Sequence, residues 1–177
     1  MFDWLTEFCK GVFGFVSRRD QARIDRLEKH GEEKRKSDIK LYQELEAKLK
    51  EGSSGVVLLK EHNFANDFYD RAVMQLDDAQ MFLKSTRSSF HDPELESLKS
   101  ELLNELDEFL HAINENCRGA YQKTGLMSCV TASEQVNEFG DLSESSQETV
   151  LCLNDKARRC HNTYVKLLEV GKSRLAL

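Results

Sequence analysis

The sequence predicts an all-α protein: an antiparallel helical bundle of three long helices plus a short one, preceded by a long charged helix or stalk. Three observations predict it. Apolar residues recur at three- and four-residue steps through the second half of the chain, the period of one helix face. One proline and nine glycines in 177 residues leave little material for a turn-rich β architecture. Asp92 to Glu115 carries eight acidic residues against one lysine, and Lys156 to Leu177 carries six basic residues against one glutamate, so two of the helices are complementary in charge.

The first element is residues 1–17. Phe2, Trp4, Leu5, Phe8, Val12, Phe13, Phe15 and Val16 surround a narrow polar stripe of Asp3, Thr6, Glu7 and Lys10. A helix so apolar must bury most of its circumference, against a partner or in the interfacial zone of a bilayer. These eight residues are the expected membrane- or partner-docking set. Asp3 precedes the first basic residue, Lys10, which is not the order of a secretory signal. No run of eighteen apolar residues offers a transmembrane span.

Residues 18–51 form the charged stalk. Eight of the eleven residues from Glu28 to Asp38 are charged, and apolar anchors return only at Ile39, Tyr42, Leu45 and Leu49. Gly52-Ser53-Ser54-Gly55 marks the boundary with the body, residues 56–177. Val56 to Leu59 is too short to assign by period. Asn63 then reads as the cap of a helix carrying Phe64, Phe68, Ala72, Leu76, Ala79 and Leu83 and ending near Phe90. Asp92-Pro93 opens the next helix, with Leu95, Leu98, Leu102, Leu106, Phe109, Ile113 and Cys117 on its stripe. Gly119 to Gly125 reads as a turn. Cys129, Ala132, Val136 and Phe139 suggest the short helix, with Cys129 to Thr131 open to an extended reading, and Gly140 to Gln147 is a polar loop. Val150, Leu153, Ala157, Cys160, Tyr164, Leu167 and Gly171 complete the bundle. Each long helix is expected to run about 28 residues, roughly 42 Å at 1.5 Å per residue.

The net charge of −6 argues against a nucleic-acid-coating protein. Five cysteines, an odd number with no CxxC pair, fit reduced thiols in a cytosolic compartment better than a secreted scaffold. Glu108-Phe109-Leu110-His111 is an ExxH, but a carboxylate-bridged metal pair needs a second copy and the sequence has none. Arg23 with His30 and Arg87 with His91 have the spacing of a helical nuclease pair and lack an enclosing pocket; solvated side chains explain them better. Cys160 and His161 are adjacent on a helix and point about 100° apart, so the thiol reads as core. Glu61, His62, Asn63 and Asp67 make the one polar cluster that stands out, where Asn63 serves as a cap and Glu61, His62 and Asp67 are candidates for lining a site at the bundle end.

The runs Leu58-Leu59-Lys60-Glu61-His62-Asn63-Phe64, Glu108-Phe109-Leu110-His111 and Tyr164 through Leu175 together resemble a loose family of uncharacterised bacterial helical-bundle proteins with a variable N-terminal hydrophobic or coiled segment. The resemblance covers about residues 56–175. It implies a bacterial source and an all-helical body and brings no activity with it.

The expectation is therefore a non-enzymatic bacterial interaction module, with no catalytic residues, metal or cofactor. Its body binds a protein partner, and residues 1–17 dock on a membrane surface or on a partner, a second copy included. The setting is cytoplasmic, peripheral at the inner membrane. The alternative is a nucleic-acid-acting or metal-dependent effector of toxin or phage-defence type.

Overall fold

The computed structural model describes the backbone of residues 3–85, 89–135 and 142–176, and the side chains of residues 20–85, 89–134 and 142–176. Helix dominates it, as expected. The helices are α1 (Asp3–Lys48), α2 (Ser54–Glu61), α3 (Asp70–Lys84), α4 (Pro93–Asn116), α5 (Ala132–Gln135) and α6 (Glu144–Leu175). Three short strands, β1 (Phe68–Tyr69), β2 (Arg118–Gly119) and β3 (Leu126–Ser128), form an antiparallel sheet in the order β1-β3-β2. The eight docking residues from Phe2 to Val16, like Arg87, Val136 and Phe139, lie outside the described side chains.

The chain divides into two compact units at Ser37–Asp38. In the first, every described side chain from Asp20 to Ser37 is exposed, Ile24 and Leu27 included, which is what a run of alternating charges without an apolar face produces. The second unit holds the core. Leu41, Tyr42, Leu45 and Leu49 of α1 belong to it and are buried, because here the apolar residues return at helical spacing. Gly52, at φ +81°, makes the turn that follows α1, a conformation in which a Cβ would be strained. Gly55 lies inside α2 and packs on Leu76, where a Cβ would meet the side chain at 3.0 Å.

Around the core α2 packs on α3 and α6, and α4 packs on α3 and α6. Arg174 Nε donates to Glu94 (2.9 Å) and Lys156 to Glu108 (3.0 Å), so the end of α6 lies at the start of α4 and the two run in opposite directions. The charge match seen in the sequence is realised as these exposed pairs, each worth little alone. Asp92 caps α4, its carboxylate accepting from the N–H groups of Glu94 and Leu95, with Pro93 in the first turn. Such a cap is worth about 1 kcal/mol.

Three expectations need correction. The helix expected from Asn63 to Phe90 is Asp70–Lys84, 15 residues long. Phe64 and Phe68 continue its period by coincidence, but Phe68 and Tyr69 are extended and pair with Met127 and Leu126. Tertiary pairing overrides the local pattern at aromatic residues that favour strands. Asn63 caps a turn rather than a helix: its Oδ1 accepts from Ala65 N, and Asn66 N donates to its carbonyl. Secondly, Glu144 to Gln147, expected in a polar loop, already belong to α6, which Ser143 caps. Thirdly, Cys117 and Cys129 are not reduced thiols but form a disulfide. Cys152 is free and exposed, and Cys160 is free and buried. Burial pushes the Cys160 thiol up to about 12, as an inert core cysteine requires.

Candidate functional site

A cavity of about 530 Å³ opens between α2, β1 and the start of α3. Its lining combines Val57 and Leu58 of α2, Glu61 and His62 at the end of that helix, Asp67, Phe68 and Tyr69 along β1, and Arg71 of α3. Three of the four residues singled out in the sequence, Glu61, His62 and Asp67, therefore share one cavity. The fourth, Asn63, turns toward α6, where Asn154 Nδ2 donates to its Oδ1 (3.4 Å) and Asn154 Oδ1 accepts from Phe64 N (3.1 Å).

Each polar group in the cavity has a definite anchor. His62 Nε2 is 3.2 Å from the Asn66 carbonyl, and the ring meets Phe64 and Phe68 edge-on at 5.0 and 5.5 Å between centroids. Burial against these rings holds its pKa below the ordinary value, outweighing the Asn66 bond, so at neutral pH the imidazole is uncharged. Asp67 accepts from Lys123 at 2.5 Å, across from the β2–β3 hairpin. Glu61 is 3.6 Å from Lys60. The Arg71 guanidinium stacks over Tyr69, 4.5 Å from the ring centroid. The bonds of His62 and Asp67 thus run to neighbours that hold them in place, an arrangement of a shaped, mixed apolar and polar surface.

A second cavity, of about 410 Å³, lies on the other side of α2. Val56, Val57, Tyr164, Val165 and Leu168 supply its apolar lining, and Lys60, Glu61 and His161 stand among its polar groups. Burial, then the charge of Lys60, lowers the His161 pKa. Val57 and Glu61 belong to both cavities, which makes α2 a ridge between two hollows. Val57 is 38 % exposed and Tyr69 55 %, so the ridge and one wall present apolar surface to solvent.

The other sequence candidates fall elsewhere. His111 Nε2 is 3.1 Å from Glu115 on the exposed face of α4. Glu108 of the same ExxH pairs with Lys156 and Arg159, which keep its carboxyl below the usual range. Among the described residues no group of three or more His, Cys, Asp or Glu side chains gathers as a metal site would. Arg23 and His30 are exposed.

No family model, curated protein or solved structure matches the chain. The bacterial family resemblance accordingly assigns no role to any residue here, and the reading of the site rests on geometry. Val57, Tyr69 and Arg71 are additions that the sequence did not single out, and His161 enters as a cavity group rather than as a neighbour of the Cys160 thiol. A strand of two residues leaves no readable period, and His161 reaches the α2 ridge only through helix packing.

Among the described residues no helix is long and apolar enough to cross a membrane.

Proposed function

We propose that this protein is a non-enzymatic interaction module whose second unit docks a protein partner over the α2 ridge. The observation that carries the reading is the position of Val57, exposed between two cavities with Tyr69 on a neighbouring wall. Shallow hollows around a protruding apolar side chain suit a partner's side chains better than a buried small substrate. The polar groups around them fit a rim that sets register. Residues 1–17 provide a second attachment, to a membrane surface or to a partner, since their sequence demands burial. The setting we propose is cytoplasmic, peripheral at the inner membrane.

The alternative of a nucleic-acid-acting effector draws less support. Four of the six cations of α6 that it would use are engaged within the protein: Lys156 and Arg159 with Glu108, Arg158 with Asp155, and Arg174 with Glu94.

Two measurements test the proposal. A photo-crosslinking residue at Val57 or Tyr69 of the full chain should capture one discrete protein in cells, and the same residue at exposed Leu151 should not. Equal capture at all three positions would defeat the docking reading. Sedimentation of the full chain and of a chain lacking residues 1–17 with anionic vesicles tests the attachment. Loss of binding on truncation supports membrane docking, and no binding by either directs that segment to a protein.

A further inference from the structure

We propose that the Cys117–Cys129 disulfide is a reducible latch on β1, opened by a dithiol through a cavity beside Cys129, and that opening it releases the Phe68–Tyr69 wall of the site while the helices stay folded. The inference holds whether or not that site takes a protein partner.

The latch begins with what holds β1 in place. Among the described residues β1 pairs with β3 alone, through Phe68 with Met127 and Tyr69 with Leu126. Asp70 N donates to the Gly125 carbonyl (3.2 Å), and Asp67 pairs with Lys123. All of these partners sit on the segment between Cys117 and Cys129. Strands of two and three residues do not hold a sheet together by themselves. The segment needs fixed ends, and the bridge supplies them. Cys117 is the C-cap of α4, its N–H donating to the Ile113 carbonyl, and Cys129 follows β3 directly. The disulfide thus closes the hairpin onto the end of a long helix. The hydrogen bonds of that wall depend on this closure, while Phe68 also packs on Phe64 and His62.

The bridge also borders a cavity. A cavity of about 260 Å³ is lined by Cys129 and its neighbours Ser128, Val130 and Thr131, with Arg118 and Tyr121 across from them. Cys117 is buried more deeply than Cys129 and does not line that cavity, so attack falls on the Cys129 sulfur. A thiolate of the dithiol forms a bond to the Cys129 sulfur as the Cys117 sulfur leaves with the electron pair and takes up a proton. The second thiol of the reagent, deprotonated, then attacks the reagent's own sulfur in the mixed disulfide. Cys129 leaves as thiolate and is protonated. Two electrons and two protons pass from the dithiol to the bridge, and the reagent ends as a disulfide. The Arg118 guanidinium donates to the carbonyls of Cys117 (2.7 Å) and Asn114 (2.9 Å), which keeps a positive charge at the end of α4. Disulfides in a reducing compartment are mostly of this transient kind.

The test is amide hydrogen exchange on the full chain, oxidised and after treatment with dithiothreitol under native conditions, with alkylation to report which cysteines have opened. The expected result is alkylation of Cys117 and Cys129 together with exchange about tenfold faster or more over residues 67–70 and 118–129, while α4 and α6 keep their protection. The double variant Cys117→Ser, Cys129→Ser should show that pattern without reductant and ignore the reductant when it is added. Three results would overturn the proposal. A bridge that the dithiol leaves closed in native buffer is the first, and a bridge that opens with exchange at 67–70 unchanged, a passive staple, is the second. Simultaneous loss of protection in α4 and α6 would make it a support of the whole core instead.

Discussion

The Tyr42 ring of α1 rests on the bare Cα of Gly171 in α6: a Cβ built at Gly171 would fall far inside van der Waals distance of Tyr42 Cε2 and Cδ2. The contact is locked from both sides. The Tyr42 hydroxyl donates to the Leu168 carbonyl (3.1 Å), and the Tyr164 hydroxyl donates to the Leu49 carbonyl. Each helix thus places a tyrosine on the backbone of the other, and glycine is what lets them come this close. Gly171→Ala should therefore destabilise the protein by about 1–3 kcal/mol, even though alanine is the better helix former. Denaturant melts would measure it. Combined with Tyr42→Ala, the loss should be smaller than the sum of the two single losses, because the clash disappears with the ring. A stabilised Gly171→Ala variant would show that the approach is looser than this.

Gly171 was legible in the sequence as the last step of the α6 stripe, but its reason was not, since Tyr42 lies on a separate helix. The same division runs through the molecule. α4 and α6 could be read because Asp92-Pro93 and an unbroken three- and four-residue period are local signals. The polar cluster of Glu61, His62 and Asp67 could be read because its members are neighbours in the chain. What could not be read depends on distant pairing. Phe64 and Phe68 matched a helical period, and only contact with Leu126 and Met127 makes Phe68 and Tyr69 a strand. Cysteine spacing does not state connectivity, so the Cys117–Cys129 bridge was invisible too.

Asp38 illustrates a buried charge that is justified by its partners. It is 4 % exposed, and its two oxygens accept separately from His91 N (2.7 Å) and Asp92 N (2.9 Å), fixing the approach to α4. Asp38→Ala would strand both amides away from water and should cost about 3 kcal/mol. Asp38→Asn keeps one acceptor oxygen and should fall between the two. Thermal or denaturant unfolding of the three proteins checks the order, and equal stability of Asp38→Ala with the parent would remove the carboxylate from this role.

His62 and His161 set a stability loss on the mildly acidic side. Burial lowers both pKa values from the ordinary 6.5. A folded-state pKa below the unfolded one means that the unfolded chain binds more protons in that interval, so stability rises with pH there. The contribution is fully present above about pH 6.5 and is lost as pH falls through the folded values. Melting temperatures from about pH 8 to about pH 5 should decline below that point. In His62→Gln with His161→Gln the decline should flatten, whatever the variant's stability at high pH. A slope unchanged by the double substitution would assign it to other groups.

Glu134 gathers the loop before α6, and it does so as an ion. With Thr131 it forms a reciprocal cap on α5: Glu134 Oε2 accepts from Thr131 N (2.9 Å) and Oγ1 (2.7 Å), and Glu134 N donates to Thr131 Oγ1 (3.4 Å). The same carboxylate reaches the start of α6, accepting from Ser143 N (2.6 Å) and Ser146 Oγ (2.8 Å). The Ser143 amide is the main cause, and Thr131 the next, of a carboxyl held well below its ordinary 4.5. Since the folded form favours the anion, this stabilisation is present above pH 4.5 and disappears as acid titrates the folded carboxyl, a window below that of the histidines. Glu134→Gln keeps the shape but offers a single oxygen and an amide to four donors. Hydrogen exchange at Thr131, Ser143 and Ser146 should quicken in this variant at neutral pH, while α4 is unaffected. Acid treatment of the parent far enough below pH 4.5 to titrate the folded carboxyl should reproduce the same local change. If the variant's amides exchange at the parent rate, these junctions are held by their own backbone bonds and Glu134 is incidental to them.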